Sequence, residues 1–169
     1  YAEMGFLGIN LNPAHGGHGL AHLDAVLVLE EVAKISPAVA FPIFESCFGP
    51  ILAIEHFGSD ALKARIIPKV VSGDMVVAVS MSEPEAGSAL TDLTTRGVIA
   101  GNTVTLNGHK RWCSGAGHAD AYVVYCKLSD APGSRGIGAV LVEKDSKGLS
   151  FGRHEELMGF RGIPSADMM

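Results

Sequence analysis

The sequence contains few cysteines, and their arrangement argues against two common kinds of small domain. Only three occur among the 169 residues, at positions 47, 113 and 126, and none belongs to a Cys-x-x-Cys pair. An odd, widely spaced set argues against a disulfide framework and against a cysteine-based zinc site. The simplest interpretation is a reducing compartment, which predicts a cytoplasmic location, or the mitochondrial matrix if the source is a eukaryote.

Basic residues are fewer than acidic ones. Thirteen Lys and Arg stand against 18 Asp and Glu, for a formal net charge of −5. The basic stripe typical of nucleic-acid binding is missing, so we predict no nucleic-acid partner. No uninterrupted apolar run approaches the roughly 18 residues of a membrane span, and the first residues carry no signal-peptide pattern. Neither end resembles a natural terminus, which indicates a piece of a longer chain.

What the sequence does contain is enough apolar residues for a buried core, and their periodicity changes near residue 75. Hydrophobic residues make up 47% of the chain. Up to Asp74 the pattern predicts helices, the later ones beginning at the caps Ser36-Pro37 and Ser59-Asp60. From Met75 onward, short apolar runs between turns predict strands. We therefore predict an α+β fold with an N-terminal helical domain (1–74) followed by an antiparallel β-barrel or sandwich domain (75–169).

The same patterns predict three local features: the buried face of a helix, the positions of two turns and the bounds of the strands. The helix within 20–35 should bury Leu23, Val26, Leu27 and Val32. Among the turns, Asn107-Gly108 is the strongest hairpin signal and Gly101-Asn102 a weaker one. Strands are predicted at 76–79, 93–99, 103–106, 110–113, 121–128, 137–142 and 149–153.

Two segments of the β-region combine residues suited to ligand binding. Ser80–Ser88 (SMSEPEAGS) follows a strand and can aim backbone N–H groups at a ligand oxygen, although an ordinary polar turn has the same composition. Asn107–Gly117 (NGHKRWCSGAG) delivers the only tryptophan, a hydroxyl and small residues. That set suits a flat aromatic ligand, and a core tryptophan is the alternative interpretation.

Together these segments resemble the acyl-CoA dehydrogenase family, whose members have [ST]-E-P-x-A-G-S and N-G-x-K-x-W-x-[ST] in this order. Two further elements agree with the family. Pro13–Gly19 matches an early P-x-x-G-G-x-G turn, and Met158–Gly162 matches a later M-G-x-R-G element. The four elements extend over nearly the whole chain.

The resemblance implies FAD as the cofactor and assigns four residues to it. Backbone groups of Met81 and Ser82, with the Ser82 hydroxyl, would hydrogen-bond the pyrimidine edge of the flavin. Trp112 would lie against the isoalloxazine ring. Ser114 would donate near N5, the atom that accepts hydride, and such donors stabilise the charge that builds up on a flavin during reduction.

The resemblance also implies an acyl-CoA substrate. Gly87 and Ser88 would lie near the thioester arm of CoA. Phe41, Phe44 and Glu45 are candidates for the lining of the acyl pocket, and packing inside the helical core is the alternative for all three.

The reaction that the resemblance implies is α,β-dehydrogenation, with an electron-transfer flavoprotein as electron acceptor and a homodimeric or homotetrameric enzyme. In the family the catalytic glutamate belongs to a C-terminal helical domain. That domain lies outside these 169 residues, so we assign no catalytic residue and expect this piece alone to be inactive. Ala89 stands where the family usually has aspartate, which leaves oxidase, reductase or C–S-cleaving chemistry as alternatives. A non-catalytic binding fragment is a third interpretation.

A metal site and a hydrolase triad are not supported. His15, His18 and His22 have a spacing that could serve a metal, but no cysteine or well-placed carboxylate completes the set. We predict no metal.

Overall fold

The computed structural model describes all 169 residues, which divide into two units. The first, a helical unit, comprises residues 1–77 and 157–163; the second, a β-unit, comprises residues 78–156 and 164–169. The short segment 157–163, which the sequence placed in the β-domain, therefore packs with the helices.

The helical unit contains four α-helices whose beginnings follow the predicted caps. The Ser36 hydroxyl accepts a hydrogen bond from the Val39 N–H, and the Ser59 hydroxyl accepts one from the Leu62 N–H. Each bond satisfies one of the N–H groups left open at a helix start. The helices are α1 (His22–Ala33), α2 (Pro37–Cys47), α3 (Pro50–Phe57) and α4 (Asp60–Ser72).

The face that α1 buries differs from the predicted one. Ala25 is fully buried, and Val28, Leu29 and Val32 pack on the same cluster of the core, while Leu23 is 66% exposed. Val26 and Leu27 are also exposed, so only Val32 of the predicted stripe was correct. Because α1 is apolar on most of its circumference, periodicity alone could not select the buried face.

The stretch from Pro37 to Phe57 is long and apolar enough to cross a membrane, by length and composition alone. The prediction that no segment of the chain could span a membrane is therefore not confirmed. In the structure it is two helices, since α2 ends at Cys47 and α3 begins with Pro50 in its first turn. Core helices have the same apolar composition as membrane helices. Several of its residues are buried in the helical unit, namely Ala40, Ile43, Cys47, Ile51 and Ile54.

Gly17 shows why the early turn requires glycines. A Cβ atom at this position would lie 2.2 Å from the Leu11 carbonyl oxygen, a backbone atom that cannot swing away. We expect Gly17→Ala to lower the free energy of unfolding by about 1–3 kcal/mol, because it overpacks this turn. Gly159→Ala is the control, since nothing lies within 4 Å of its added Cβ. Urea unfolding of both variants tests this, and equal midpoints would contradict it.

The β-unit contains two sheets, and the α+β class is confirmed. Its strands are β1 (Val77–Ser80), β2 (Arg96–Ala100), β3 (Thr103–Asn107), β4 (Lys110–Ser114), β5 (Ala121–Lys127), β6 (Ile137–Glu143) and β7 (Ser165–Met168). One sheet has the order β1-β5-β2-β3 with β6 also paired to β5, and the other pairs β4 with β7. Pairing is antiparallel in β2–β3, β5–β6 and β4–β7, but β2 and β5 pair in parallel through Arg96 and Lys127. The large sheet is therefore mixed and not purely antiparallel.

The stronger of the two hairpin predictions was wrong. The real hairpin joins β2 and β3 at Gly101-Asn102, where Gly101 has φ +59°. At Asn107-Gly108 the chain leaves one sheet and enters the other. A Cβ on Gly108 would lie 2.1 Å from Thr95 Oγ1, so glycine is needed for close packing there.

The last strand was missed and another was overpredicted. In the predicted strand 149–153, only Phe151 forms a bridge, to Met168. Met168 belongs to β7, whose four residues are too few for a periodicity signal. The missed strand matters for the site, because β7 is the strand that pairs with β4, and β4 carries the tryptophan.

Candidate functional site

The loop after β1 is a tight turn closed by its own backbone. Glu83 N–H donates to Ala86 O at 2.9 Å, and Ala86 N–H donates to Glu83 O at 3.1 Å. Pro84 and Glu85 at the tip are exposed, while the Glu83 side chain points inward and is buried. The turn thus separates Met81 and Ser82 before it from Gly87 and Ser88 after it.

A buried ion pair joins this loop to β4. Lys110 Nζ lies 2.8 Å from Glu83 Oε1, and both side chains are only 2% exposed. The same ammonium donates to Met81 O at 2.8 Å. Two consecutive threonines also donate hydrogen bonds to the Glu83 carboxylate. Thr94 donates through its N–H (2.5 Å) and its hydroxyl (2.7 Å), and Thr95 donates through its N–H (2.9 Å).

These donors decide the charge of Glu83. Burial alone raises the pKa of a carboxyl, but the hydrogen bonds from Lys110, Thr95 and Thr94 outweigh it and lower the pKa of Glu83 to about 2. Glu83 is therefore ionised at neutral pH, which matches its cationic partner. The pairing of these two residues was not predicted from the sequence, because 27 positions separate them and no spacing rule connects them.

A β-bulge sets the position of Trp112. Lys110 pairs with Met168 and Cys113 with Ala166, so two residues of β4, Arg111 and Trp112, oppose the single Asp167 of β7. Trp112 takes φ +58° and is 55% exposed. A tryptophan in the left-handed region costs roughly 1–3 kcal/mol, and such strain is concentrated at functional sites.

Three of the predicted cofactor residues lie on β4 or beside it: Trp112 and Ser114 belong to the strand, and Ser82 lies in the loop after β1. The Arg111 N–H donates to Ser82 O at 3.0 Å, which puts Ser82 beside the residue that precedes Trp112. Ser114 ends β4 and is half-buried. The N–H groups of Met81 and Ser82 make no hydrogen bond within the chain.

The chain that follows Ser114 is held in place by hydrogen bonds. Gly115 N–H donates to Pro164 O at 2.8 Å. The Tyr122 hydroxyl accepts from Gly117 N–H at 2.9 Å and donates to Gly115 O at 3.2 Å. Burial comes first among the causes that raise the pKa of Tyr122 to about 12, so the hydroxyl keeps its proton.

The predicted substrate residues are exposed in the β-unit, whereas the predicted acyl-pocket residues belong to the helical unit. Gly87 and Ser88 are exposed, and nothing lies within 4 Å of a Cβ added at Gly87. In the helical unit, Phe41 and Phe44 stack with their centroids 5.5 Å apart. Glu45 instead lines an open cleft of about 470 Å³, whose lining also includes Tyr1, Leu7, Pro42, Ser46 and Val70.

Glu45 has a pKa raised to about 8, because burial disfavours its charged form. Between the ordinary value of 4.5 and about 8 the folded state holds more protons than the unfolded state. The contribution of Glu45 to the free energy of unfolding is therefore fully present below pH 4.5 and is lost as the pH rises through about 8. We expect Glu45→Gln to flatten this fall, as measured by urea unfolding at about pH 5 and about pH 8.5. Glu31→Gln, at an exposed site, is the control, and identical pH dependence in both variants would contradict the assignment.

No cluster of three or more histidine, cysteine or acidic side chains could hold a metal ion. Of the three histidines with suggestive spacing, His22 has its Nδ1 2.6 Å from Asn10 Nδ2. This ring nitrogen therefore has a hydrogen-bond partner in the Asn10 side-chain amide.

Comparison with known families decides the identity of the fold. Residues 1–74 match the model for the N-terminal domain of acyl-CoA dehydrogenases, and residues 78–169 match the model for their middle domain. The chain belongs to the acyl-CoA dehydrogenase family. The structures that resemble this chain include FAD complexes, so the enzyme family and the cofactor of that family, FAD, are confirmed.

Individual relatives of this acyl-CoA dehydrogenase family member include more than one chemistry. The chain is 36% identical to the mitochondrial isovaleryl-CoA dehydrogenase of Pongo abelii, over 99% of this chain and 40% of that protein. It is 37% identical to the 3-sulfinopropanoyl-CoA desulfinase of Advenella mimigardefordensis, over 98% of this chain and 42% of that protein. The chain thus spans about two fifths of the length of these relatives.

Solved structures share the architecture. A chain from the structure of an electron transferring flavoprotein of Acidaminococcus fermentans superposes with a TM-score of 0.93 at 30% identity, covering 99% of this chain and 44% of that one. An acyl-CoA dehydrogenase of Bacillus anthracis in complex with FAD superposes with a TM-score of 0.86 at 26% identity, covering 99% and 28%.

Proposed function

We propose that the protein carrying this chain is an FAD-dependent acyl-CoA dehydrogenase that oxidises the α,β bond of an acyl-CoA thioester. The observation that carries the proposal is the arrangement at β4. An exposed Trp112 is held on a strained bulge, two residues before Ser114 and directly after Arg111, whose N–H donates to Ser82 O. Membership of the family supports this chemistry over a non-catalytic binding module.

The residues at β4 and the β1 loop fit a flavin. The exposed indole of Trp112 offers a flat apolar surface for an aromatic ring system. The N–H groups of Met81 and Ser82 have no partner in the chain, so they are available to the oxygen and nitrogen acceptors of the pyrimidine edge. The hydroxyls of Ser82 and Ser114 add donors, and donors at these edges favour the reduced form.

Each of these side chains has a distinct task in the proposed reaction. When bound, FAD supplies the acceptor for the hydride that leaves the β-carbon. Trp112 excludes water from one side of the ring, and Ser114 holds a donor at the accepting edge. Gly87 and Ser88 lie on the exposed side of the turn, where we place the thioester arm. The base that removes the α-proton belongs, in our proposal, to a segment outside these 169 residues.

Desulfination is the second candidate, and a specific observation favours it. A 3-sulfinopropanoyl-CoA desulfinase matches this chain as well as the dehydrogenases do, at 37% against 36% identity. Ala89, in place of the usual aspartate, is exposed and directly follows Ser88, beside which we place the thioester arm. A desulfinase would use the same flavin surface with a different acyl group.

Anaerobic mixing with acyl-CoA separates the two candidates. The full-length, FAD-loaded protein is mixed with a saturated acyl-CoA and, separately, with 3-sulfinopropanoyl-CoA. Bleaching of the flavin absorbance by the saturated thioester supports the dehydrogenase. Release of sulfite from the second compound without bleaching by the first would overturn it in favour of the desulfinase.

The proposal extends to partners and location. We expect the reduced enzyme to pass electrons to an electron-transfer flavoprotein, and to be a homodimer or homotetramer. The relatives include mitochondrial and bacterial enzymes, in keeping with a mitochondrial-matrix or cytoplasmic site. Rapid reoxidation by oxygen alone would instead indicate the oxidase alternative.

A further inference from the structure

The bulge in β4 brings two consecutive side chains together. Neighbouring residues of a regular strand point to opposite faces of the sheet. Because Arg111 and Trp112 both oppose Asp167, and Trp112 takes φ +58°, this alternation is broken. The Arg111 guanidinium carbon consequently lies over the indole, 5.3 Å from the ring centroid. That distance is within the range of a cation–π interaction.

Carboxylates hold the guanidinium in this position. Arg111 Nη2 is 3.4 Å from Glu155 Oε1, and Nη1 is 3.9 Å from Asp167 Oδ2. The same Asp167 oxygen is 2.8 Å from His109 Nε2. The Arg111 and Glu155 side chains are 37% and 34% exposed, so their charges are screened only in part. A fixed cation therefore lies against the indole, with anions behind it.

We propose that Arg111 is a positioning residue for Trp112 and that its positive charge favours reduction of the flavin bound against that indole. The inference rests on the proposed function. The guanidinium stacks on one part of the indole and leaves the exposed part for the flavin. Reduction adds negative charge to the flavin, and a fixed cation nearby stabilises that charge. The guanidinium of an arginine is positively charged at physiological pH.

Charge-changing variants test this by the reduction potential. The full-length, FAD-loaded protein is titrated anaerobically against a reference dye. Arg111→Gln should lower the ratio of reduced to oxidised flavin at a given potential by about threefold to tenfold, and tenfold equals about 30 mV for a two-electron couple. Glu155→Gln should raise the ratio, since it removes an anion. Arg111→Lys should restore most of the wild-type value.

Arg153→Gln removes an exposed cation paired with Glu156 in the same unit and should leave the potential unchanged. The proposal is overturned if Arg111→Gln lowers the melting temperature but leaves the potential at the control value, or if Glu155→Gln shifts it downward. If Arg111→Gln does not fold, the sign of the Glu155→Gln shift decides. Failure of acyl-CoA to bleach the wild-type flavin would refute the proposed function instead.

Discussion

Lys110→Met should destabilise the protein by about 3–5 kcal/mol, because it leaves the Glu83 carboxylate buried without its cation. Both side chains are 2% exposed, so water cannot take the place of the missing ammonium. The variant also removes the donor to Met81 O. We therefore expect weaker FAD retention in whatever fraction folds. Urea unfolding and the flavin absorbance of the purified protein measure the two effects.

Two further variants make this result specific. Lys147→Met changes an exposed lysine of the same unit and should alter stability by less than about 0.5 kcal/mol. Adding Glu83→Gln to Lys110→Met removes the unpaired charge, so the double variant should recover part of the loss. Additive losses in the double-mutant cycle would show that the two residues do not interact, contrary to the structure.

The helical unit illustrates what local chemistry predicts well. Ser36 and Ser59 begin helices because a side-chain oxygen can satisfy an N–H group of the first turn, and this interaction involves neighbours in sequence only. The buried face of α1 depends instead on what packs against it. Leu23 is more apolar than Ala25, yet Ala25 is buried and Leu23 is exposed.

The β-unit shows the same limit for sheets. Asn107-Gly108 has the composition of a hairpin turn, but the glycine is required by the side chain of Thr95, the residue that precedes β2. The pairing of β4 with β7 joins positions more than 50 residues apart, as in Lys110 with Met168. No local pattern predicts such a pairing, since register is set by the assembled sheet.

The candidate site combines both kinds of information. Motif resemblance identified Ser82, Trp112 and Ser114, and the structure places all three on or beside β4. The motif resemblance could not identify the Glu83–Lys110 pair or the bulge, because both arise from contacts between segments that are distant in sequence. These hidden features fix the geometry in which the motif residues would act.

Ser114→Ala should slow flavin reduction by acyl-CoA by about tenfold to a hundredfold, since it removes a single donor from the edge where negative charge develops. Ser114 ends β4 just before Gly115, whose N–H is bound to Pro164 O at 2.8 Å. The backbone should therefore stay in place when the hydroxyl is lost. Anaerobic stopped-flow absorbance of the full-length enzyme gives the rate directly.

A structural explanation of any slowing is separated by what else changes. Ser150→Ala, at an exposed position of the same unit, should reduce at the wild-type rate. Ser114→Thr keeps the hydroxyl and should recover most of the rate, whereas a loss caused by altered packing would be worse with the larger side chain. If Ser114→Ala is reduced as fast as wild type, the hydroxyl has no part in stabilising the reduced flavin. The donor would then have to come from elsewhere in the site, with the unpartnered N–H groups of Met81 and Ser82 as the nearest alternatives in this chain.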